Sequence, residues 1–179
     1  MEKCIIDLLS SISQVSPRYF NAIGTRTNST RYQQIIENTF TAELYHCYRN
    51  TMDLSNNNNY YNDLILHFDI SKFGGNMRPD LVLHNAQENR DNQKMFVEVK
   101  ANPNINLDND YSKIYRAIVE LDFQNVILIT INRNINTVEN EIRNYFNHNN
   151  RIQNIINRVV LINILSNGGI TNYEIKNLN

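Results

Sequence analysis

The sequence contains little cysteine, and its cysteines are not arranged for chemistry. Cys4 and Cys47 are the two cysteines among 179 residues, no CxxC pair occurs, and the four histidines are scattered. Zinc sites need clustered cysteine and histidine ligands, and disulfide frameworks need several closely spaced cysteines. These absences argue against a zinc-ribbon or a disulfide-stapled domain, and we expect both cysteines to be buried free thiols.

Long hydrophobic runs are also missing. No stretch of about 18 apolar residues occurs, so the sequence predicts no membrane-spanning helix. The apolar stretch near the N-terminus is short and includes Asp7, which is unlike the core of a signal peptide. We therefore expect a cytoplasmic protein that does not interact with a membrane.

The sequence has no excess of positive charge, since its formal net charge is -1. Nucleic-acid enzymes benefit from clustered positive charge, so the charge balance does not support such a role, although a basic groove can lie on a neutral protein. No ATP-binding loop, helix-turn-helix or zinc finger is recognisable. With 41% hydrophobic and 20% charged residues, the chain has the composition and length of one globular domain.

Hydrophobic periodicity predicts elements in the order α-α-β-β-β-α-β-α-β. Helices are expected at residues 2–15, 31–52, 108–122 and 137–157. Strands are expected at residues 64–70, 79–84, 94–101, 126–131 and 158–165. The stretch 18–30 is interpreted as a loop, and a polar tail is expected from Gly168.

The predicted fold class is α/β, with a mixed central sheet and flanking helices. Short connections between the first three strands favour an antiparallel meander. The fourth strand, VILITI at residues 126–131, is apolar at nearly every position, which is typical of a strand covered on both faces.

Three charged residues in the segment RPDLVLHNAQENRDNQKMFVEVKA, residues 78–101, are arranged as a candidate active centre. Asp80 opens one predicted strand, while Glu98 and Lys100 are two apart on the next and therefore leave the same face of the sheet. Burying an unpaired charge costs several kcal/mol. Each of these side chains therefore needs a partner, a metal ion or a solvent-filled cleft.

Phosphodiester hydrolysis is the chemistry that suits these residue types. Mg²⁺ prefers oxygen ligands, and two carboxylates can hold it while several waters remain bound. A bound ion polarises a phosphoryl oxygen and activates water, and an adjacent lysine can offset transition-state charge. The backbone carbonyl of Val99, between Glu98 and Lys100, is a candidate further ligand.

Pro79-Asp80, a hairpin and then Glu98-Val99-Lys100 resemble the signature of the PD-(D/E)xK, or restriction-endonuclease-like, nuclease superfamily. The surrounding elements resemble its αβββαβ core over roughly residues 31–131, within a single domain. Residues 1–17 would then be an N-terminal helical arm and residues 132–179 a C-terminal helix-strand extension. The resemblance implies an endonuclease in which Asp80 and Glu98 bind Mg²⁺ or Mn²⁺ and Lys100 is catalytic, with DNA as the favoured substrate.

The resemblance also implies an acidic residue on the first core helix. Glu37 and Glu43 both lie within about 70° of the apolar midline of the predicted helix. We favour Glu43 as the fourth catalytic and metal-binding residue, because the run AELYHCYR resembles what such helices carry. Glu37 remains the alternative.

Three cations are candidate contacts for nucleic-acid phosphates. Arg78 and Lys72 flank the Pro-Asp turn, and Lys113 lies on the helix after the catalytic strand. For all three, the role of a solvated surface residue is the more common alternative.

Structural and functional alternatives remain open at this stage. Asp80 could serve only a turn, and Glu98 with Lys100 could form the solvated face of an edge strand. The chain could be a catalytically silent nucleic-acid-binding or assembly module, or an interaction scaffold in which Asp80, Glu98 and Lys100 do not converge. If it cuts both strands of a duplex, a homodimer is plausible, with residues 2–15 as its contact face.

Overall fold

Four α-helices and eight β-strands are present in the computed structural model, which describes residues 1–19, 21–25, 31–35, 37–55, 59–69, 77–85, 92–101, 106–148, 155–167 and 170–178. The helices are α1 (Lys3–Gln14), α2 (Glu37–Leu54), α3 (Asp108–Val119) and α4 (Ile135–His148), and short 3-10 helices occur at Pro17–Tyr19 and Ile156–Arg158. The strands are β1 (Asn21–Thr25), β2 (Arg31–Ile35), β3 (Leu64–Phe68), β4 (Leu81–Asn85), β5 (Gln93–Lys100), β6 (Asn125–Ile131), β7 (Val159–Asn167) and β8 (Ile170–Asn177).

A six-stranded mixed sheet in the order β3-β4-β5-β6-β7-β8 forms the centre of the protein. β3, β4 and β5 pair antiparallel, which confirms the predicted meander. β5, β6 and β7 are parallel, and β8 returns antiparallel along β7. The predicted α/β class with a mixed central sheet is therefore confirmed.

The sheet separates two hydrophobic clusters, because successive side chains of a strand point to opposite faces. On β5, Val97 and Val99 pack into the cluster that includes residues of α1 and α2. Phe96 packs into the other cluster, beneath α3 and α4. Every residue of β6 is buried, as its apolar sequence predicts for a strand covered on both faces.

The N-terminal part of the chain differs from the prediction. The sequence predicts a loop at residues 18–30 and a helix that begins at residue 31. Instead, residues 21–25 form β1 and residues 31–35 form β2, and the two strands pair antiparallel in a separate two-stranded sheet. The described part of α2 therefore begins at Glu37. A segment such as RYQQI is too short for periodicity to distinguish a strand from a helix.

The C-terminal part differs as well. Residues expected to be a polar tail form β8, which pairs with β7 along its whole length. The described part of α4 ends at His148, whereas the predicted helix extends to about residue 157. Gly168-Gly169 lies between β7 and β8, and a Gly-Gly pair between two strand-like segments is a hairpin signal that the tail interpretation overlooked.

The apolar face of α1 is buried within the chain. Cys4, Leu8 and Ile12 are buried in the cluster that α1 shares with α2, and the hydroxyl of Tyr48 on α2 donates a hydrogen bond of 3.0 Å to the carbonyl of Cys4. The apolar face on which the suggested homodimer contact at residues 2–15 is based therefore packs within the chain. Cys4 and Cys47 are buried free thiols, as expected. Among the described residues, no helix combines the length and apolar character needed to cross a bilayer.

Candidate active site

A cleft of about 620 Å³ lies at the carboxyl end of β5. It collects side chains from the beginning of α2, the end of β3, the segment before β4, and α3. The fold therefore brings together, in this cleft, side chains that are far apart in the sequence. The lining residues are Glu37, Asn38, Thr41, Phe68, Asp69, Arg78, Asp80, Glu98, Lys100 and Lys113.

Asp80 is held against β5 by two hydrogen bonds. Its backbone nitrogen donates to the carbonyl of Val97 at 3.2 Å, and its Oδ2 accepts from the backbone nitrogen of Val99 at 2.7 Å. Burial raises the pKa of the Asp80 carboxyl, although the hydrogen bond from Val99 acts in the opposite direction. The turn before β4 thus fixes this carboxylate beside the strand that carries Glu98.

Glu98 is the most deeply buried acid of the cleft, with 1% of its surface exposed. Its Oε2 accepts a hydrogen bond of 2.9 Å from Nζ of Lys113, while its Oε1 is buried without a hydrogen-bond partner among the described residues. Burial, followed by the charge of Asp80, raises the pKa of the Glu98 carboxyl to about 8. The alternative hypothesis that Glu98 belongs to the solvated face of an edge strand is therefore wrong, because Glu98 is buried and β5 lies between β4 and β6.

Lys100 extends into a group of carboxylates. Burial lowers the pKa of its ammonium group, but the neighbouring carboxylates together outweigh burial and raise the pKa above its ordinary value. Its Nζ lies 3.1 Å from Glu37 Oε1, 3.6 Å from Asp110 Oδ1 and 3.9 Å from Glu98 Oε2. The ammonium group is thus charged and fixed within the cleft.

The acidic residue that α2 contributes is Glu37 and not Glu43, which corrects the preference drawn from the sequence. Glu37 Oε2 accepts a hydrogen bond of 3.1 Å from the backbone nitrogen of Ala101, and its Oε1 accepts from Lys100. Glu43 does not line the cleft, and its Oε2 lies 3.6 Å from Nδ1 of His46. Glu37 is the first described residue of α2, and Glu43 lies about 9 Å further along the helix axis.

Asp110 on α3 is a member of the site that the sequence analysis missed. It is buried, and its Oδ1 lies 3.6 Å from Lys100 Nζ and 3.7 Å from Lys113 Nζ. Its neighbours Tyr111 and Ile114 are buried too, so Asp110 is an acidic residue on the inner face of an amphipathic helix. That placement was the one available signal.

The three predicted phosphate contacts have different positions. Lys113 lies in the cleft and is paired with Glu98. Arg78 also lines the cleft, and its guanidinium pairs with the carboxylate of Asp69 while 65% of its side chain stays exposed. Lys72 lies outside the described residues.

The residues present fit a divalent cation. Once Asp110 is included, the acids of the cleft outnumber its cations by five to three, and a divalent cation would offset that excess. The acids are Glu37, Asp69, Asp80, Glu98 and Asp110, and the cations are Arg78, Lys100 and Lys113. No group of three or more His, Cys, Asp or Glu side chains suited to a metal ion is found within the described ranges. Mg²⁺ does not require such a group, since it is commonly held by one or two carboxylates and keeps its waters. The Val99 carbonyl stays a predicted ligand.

Comparison with known proteins gives no independent identification. No protein-family model, curated protein or solved structure matches this chain.

Proposed function

We propose that this protein is a Mg²⁺- or Mn²⁺-dependent nuclease that hydrolyses phosphodiester bonds of nucleic acid, with DNA favoured, and that its centre consists of Asp80, Glu98 and Lys100. On this proposal α2, β3, β4, β5, α3 and β6 are the αβββαβ core of a restriction-endonuclease-like fold. α1 and the segment α4-β7-β8 are then additions to that core.

The observation that carries the proposal is the buried Oε1 of Glu98, which has no hydrogen-bond partner among the described residues. A buried carboxylate oxygen without a partner costs free energy, and the nearby carboxylate of Asp80 increases that cost. Both costs would be offset by one cation placed between Asp80 and Glu98. This arrangement is expected of a metal site and is difficult to explain as packing alone.

Each residue of the centre would have its own role in hydrolysis. A bound Mg²⁺ or Mn²⁺ would supply Lewis acidity and lower the pKa of an attacking water. Asp80, oriented by the backbone nitrogen of Val99, and Glu98 would hold the ion. Lys100 would offset negative charge on the phosphoryl group. Glu37 would be a positioning residue, because it fixes the Lys100 ammonium through one oxygen and the Ala101 backbone through the other.

A catalytically silent nucleic-acid-binding or assembly module on the same fold is the second candidate. One contact favours it, because Lys113 already neutralises Glu98 from 2.9 Å and would compete with a metal ion for that carboxylate. The two candidates differ in whether cations bind between Asp80 and Glu98.

The test is cleavage of supercoiled plasmid and of single-stranded DNA with MgCl₂ or MnCl₂. Wild type would be compared with Asp80→Ala, Lys100→Ala and the control Glu43→Gln, which changes an acid of α2 outside the cleft. We expect metal-dependent cleavage that Asp80→Ala and Lys100→Ala each reduce about 100-fold or more, and that Glu43→Gln retains. DNA binding without cleavage by the wild type would support the binding module instead.

A further inference from the structure

An aromatic ring is exposed at the rim of this otherwise polar cleft. Phe68, the last residue of β3, lines the cleft together with Asp80 and Lys100, and 37% of its surface is exposed. The chemistry assigned to the cleft does not use this ring. A single exposed apolar side chain is common on protein surfaces, and what distinguishes Phe68 is that its ring lines the cleft of the candidate metal ligands.

The ring lines the same cleft as the candidate metal ligands, from the side of the sheet that packs against α2. Phe68 pairs with Leu81 across β3 and β4, and the next residue, Asp69, donates its backbone nitrogen to the carbonyl of Asp80 at 3.0 Å. Phe68 is therefore one strand position from Asp80. Tyr45 of α2 supports it, with ring centroids 5.9 Å apart and planes inclined by 40°.

The charges of the cleft restrict how it can bind a polyanion. Its three described cations are each paired with an acid: Arg78 with Asp69, Lys100 with Glu37, and Lys113 with Glu98. Duplex DNA is bound mainly through phosphates, and that binding needs cations that are not already neutralised. Stacking of a base on an aromatic ring contributes about 1–3 kcal/mol and does not depend on net charge.

We propose that Phe68, supported by Tyr45, is a stacking platform for an unpaired nucleobase beside the scissile phosphate, so that the preferred substrate is a single strand or a frayed end. Inside a duplex both faces of a base are covered by its neighbours, and only an unpaired base offers a face to the ring. The role beside a scissile phosphate rests on the proposed nuclease function. The stacking itself can be tested by binding alone.

The first experiment measures binding of the full-length protein by anisotropy in CaCl₂, to a fluorescent mixed-sequence single strand and to a hairpin. The hairpin has a base-free linker as its loop and a GC-rich end that resists fraying, so that it offers no unpaired base. Phe68→Ala is expected to weaken single-strand binding about 5- to 150-fold, with Phe68→Trp close to wild type. Hairpin binding should change little in either variant. The control is Ile65→Ala, which removes another exposed apolar side chain of β3 that does not line the cleft.

The second experiment separates stacking from a general loss of structure. Abasic positions are moved along the single strand, and each is combined with Phe68→Ala in a double-mutant cycle. At one position the loss of the base should remove the effect of Phe68→Ala. Repeating the cycle with RNA strands measures whether the same coupling occurs with ribose in place of deoxyribose. Thermal melting of Phe68→Ala verifies that the variant is folded.

The outcomes distinguish this inference from the proposed function. Equal effects of Phe68→Ala on single strand and hairpin, additivity at every abasic position, or no single-strand binding by the wild type would each overturn the stacking platform. If the cycle shows coupling but no cleavage occurs in MgCl₂ or MnCl₂, the platform stands and the hydrolytic proposal fails. If cleavage occurs without coupling, the platform fails and the nuclease stands.

Discussion

Nζ of Lys113 lies 2.9 Å from Oε2 of Glu98, and the other oxygen of that carboxylate is buried with no hydrogen-bond partner in the described part of the chain. Lys113 of α3 thus contacts one oxygen of the acid and leaves the other without a hydrogen bond. A cation that enters between Asp80 and Glu98 would therefore meet the ammonium group of Lys113 already in contact with this carboxyl group. The behaviour of Glu98 in solution consequently provides several tests.

Metal binding should release a proton at neutral pH. Because burial and Asp80 raise the pKa of Glu98 to about 8, its carboxyl is mainly protonated at pH 7, and a cation must displace that proton. The affinity for Mg²⁺ should rise by up to about tenfold per pH unit below pH 8. Calorimetric titration with MgCl₂ in buffers of different ionisation enthalpy measures the protons released. Absence of release by the wild type would contradict this, and Glu98→Gln serves as the control.

Without metal, the free energy of unfolding should fall as pH rises from about 4.5 to about 8. The folded pKa of Glu98 is raised above its ordinary 4.5, so in this range the folded state holds a proton that the unfolded state has lost. Stability then decreases with pH, by about 1.4 kcal/mol per unit at the steepest. Urea unfolding at pH 5.5, 7 and 8 gives the slope. Glu98→Gln should have a shallower slope than wild type, and identical slopes would refute the assignment.

Removing the ammonium group of Lys113 should strengthen Mg²⁺ binding once the pH is high enough to ionise Glu98, because the loss of Lys113 also raises the pKa of Glu98 further. A positive charge close to Glu98 repels a second cation, and its loss leaves the carboxylate available to the ion. Lys113→Met is the variant, and calorimetry gives the dissociation constant. Arg116→Met is the matched control, because Arg116 lies on the same helix and pairs with Glu120 instead. Weaker binding by Lys113→Met would show that Lys113 helps to form the site.

Glu37→Gln should lower kcat more than it changes KM. The substitution weakens the hold on Lys100 and leaves Asp80 and Glu98 intact, so the loss falls on the group that acts in the transition state. Substitutions of such supporting groups typically cost about 10- to 100-fold. Steady-state cleavage of an oligonucleotide measures both constants. Glu43→Gln should resemble wild type, and a larger effect of Glu43→Gln would restore the original preference.

The strand residues of the site were predictable because a strand has a simple period. Alternation placed Glu98 and Lys100 on one face and Val97 and Val99 on the other, and the structure has this arrangement. The short connection from β4 to β5 makes the two strands pair antiparallel, and this pairing places Asp80, just before β4, beside the end of β5 that carries Glu98 and Lys100.

The helical residues of the site could not be predicted equally well. The predicted helix began at residue 31, about two turns before the first described residue of α2. Glu37 and Glu43 then both lay inside the predicted helix and near the same face, so their positions did not distinguish them. The one signal at Asp110 was its position on the inner face of α3, and that position did not reveal its partner because Lys100 belongs to a different element. β8 was missed because its sequence, ITNYEIKN, is mostly polar and its pairing with β7 supplies much of its order.

The helix-to-strand contact that fixes Lys100 also determines when the site can be completed during folding. The hydrogen bond from Val99 to Asp80 joins residues 19 apart in sequence, whereas the one from Lys100 to Glu37 joins residues 63 apart. Closing the longer loop costs more chain entropy, so the meander can form before α2 docks. The two carboxylates of β4 and β5 are then in place early and the lysine is oriented last. During folding, Asp80 and Glu98 would thus come together before Glu37 holds the ammonium group of Lys100 in the position that the proposed chemistry needs.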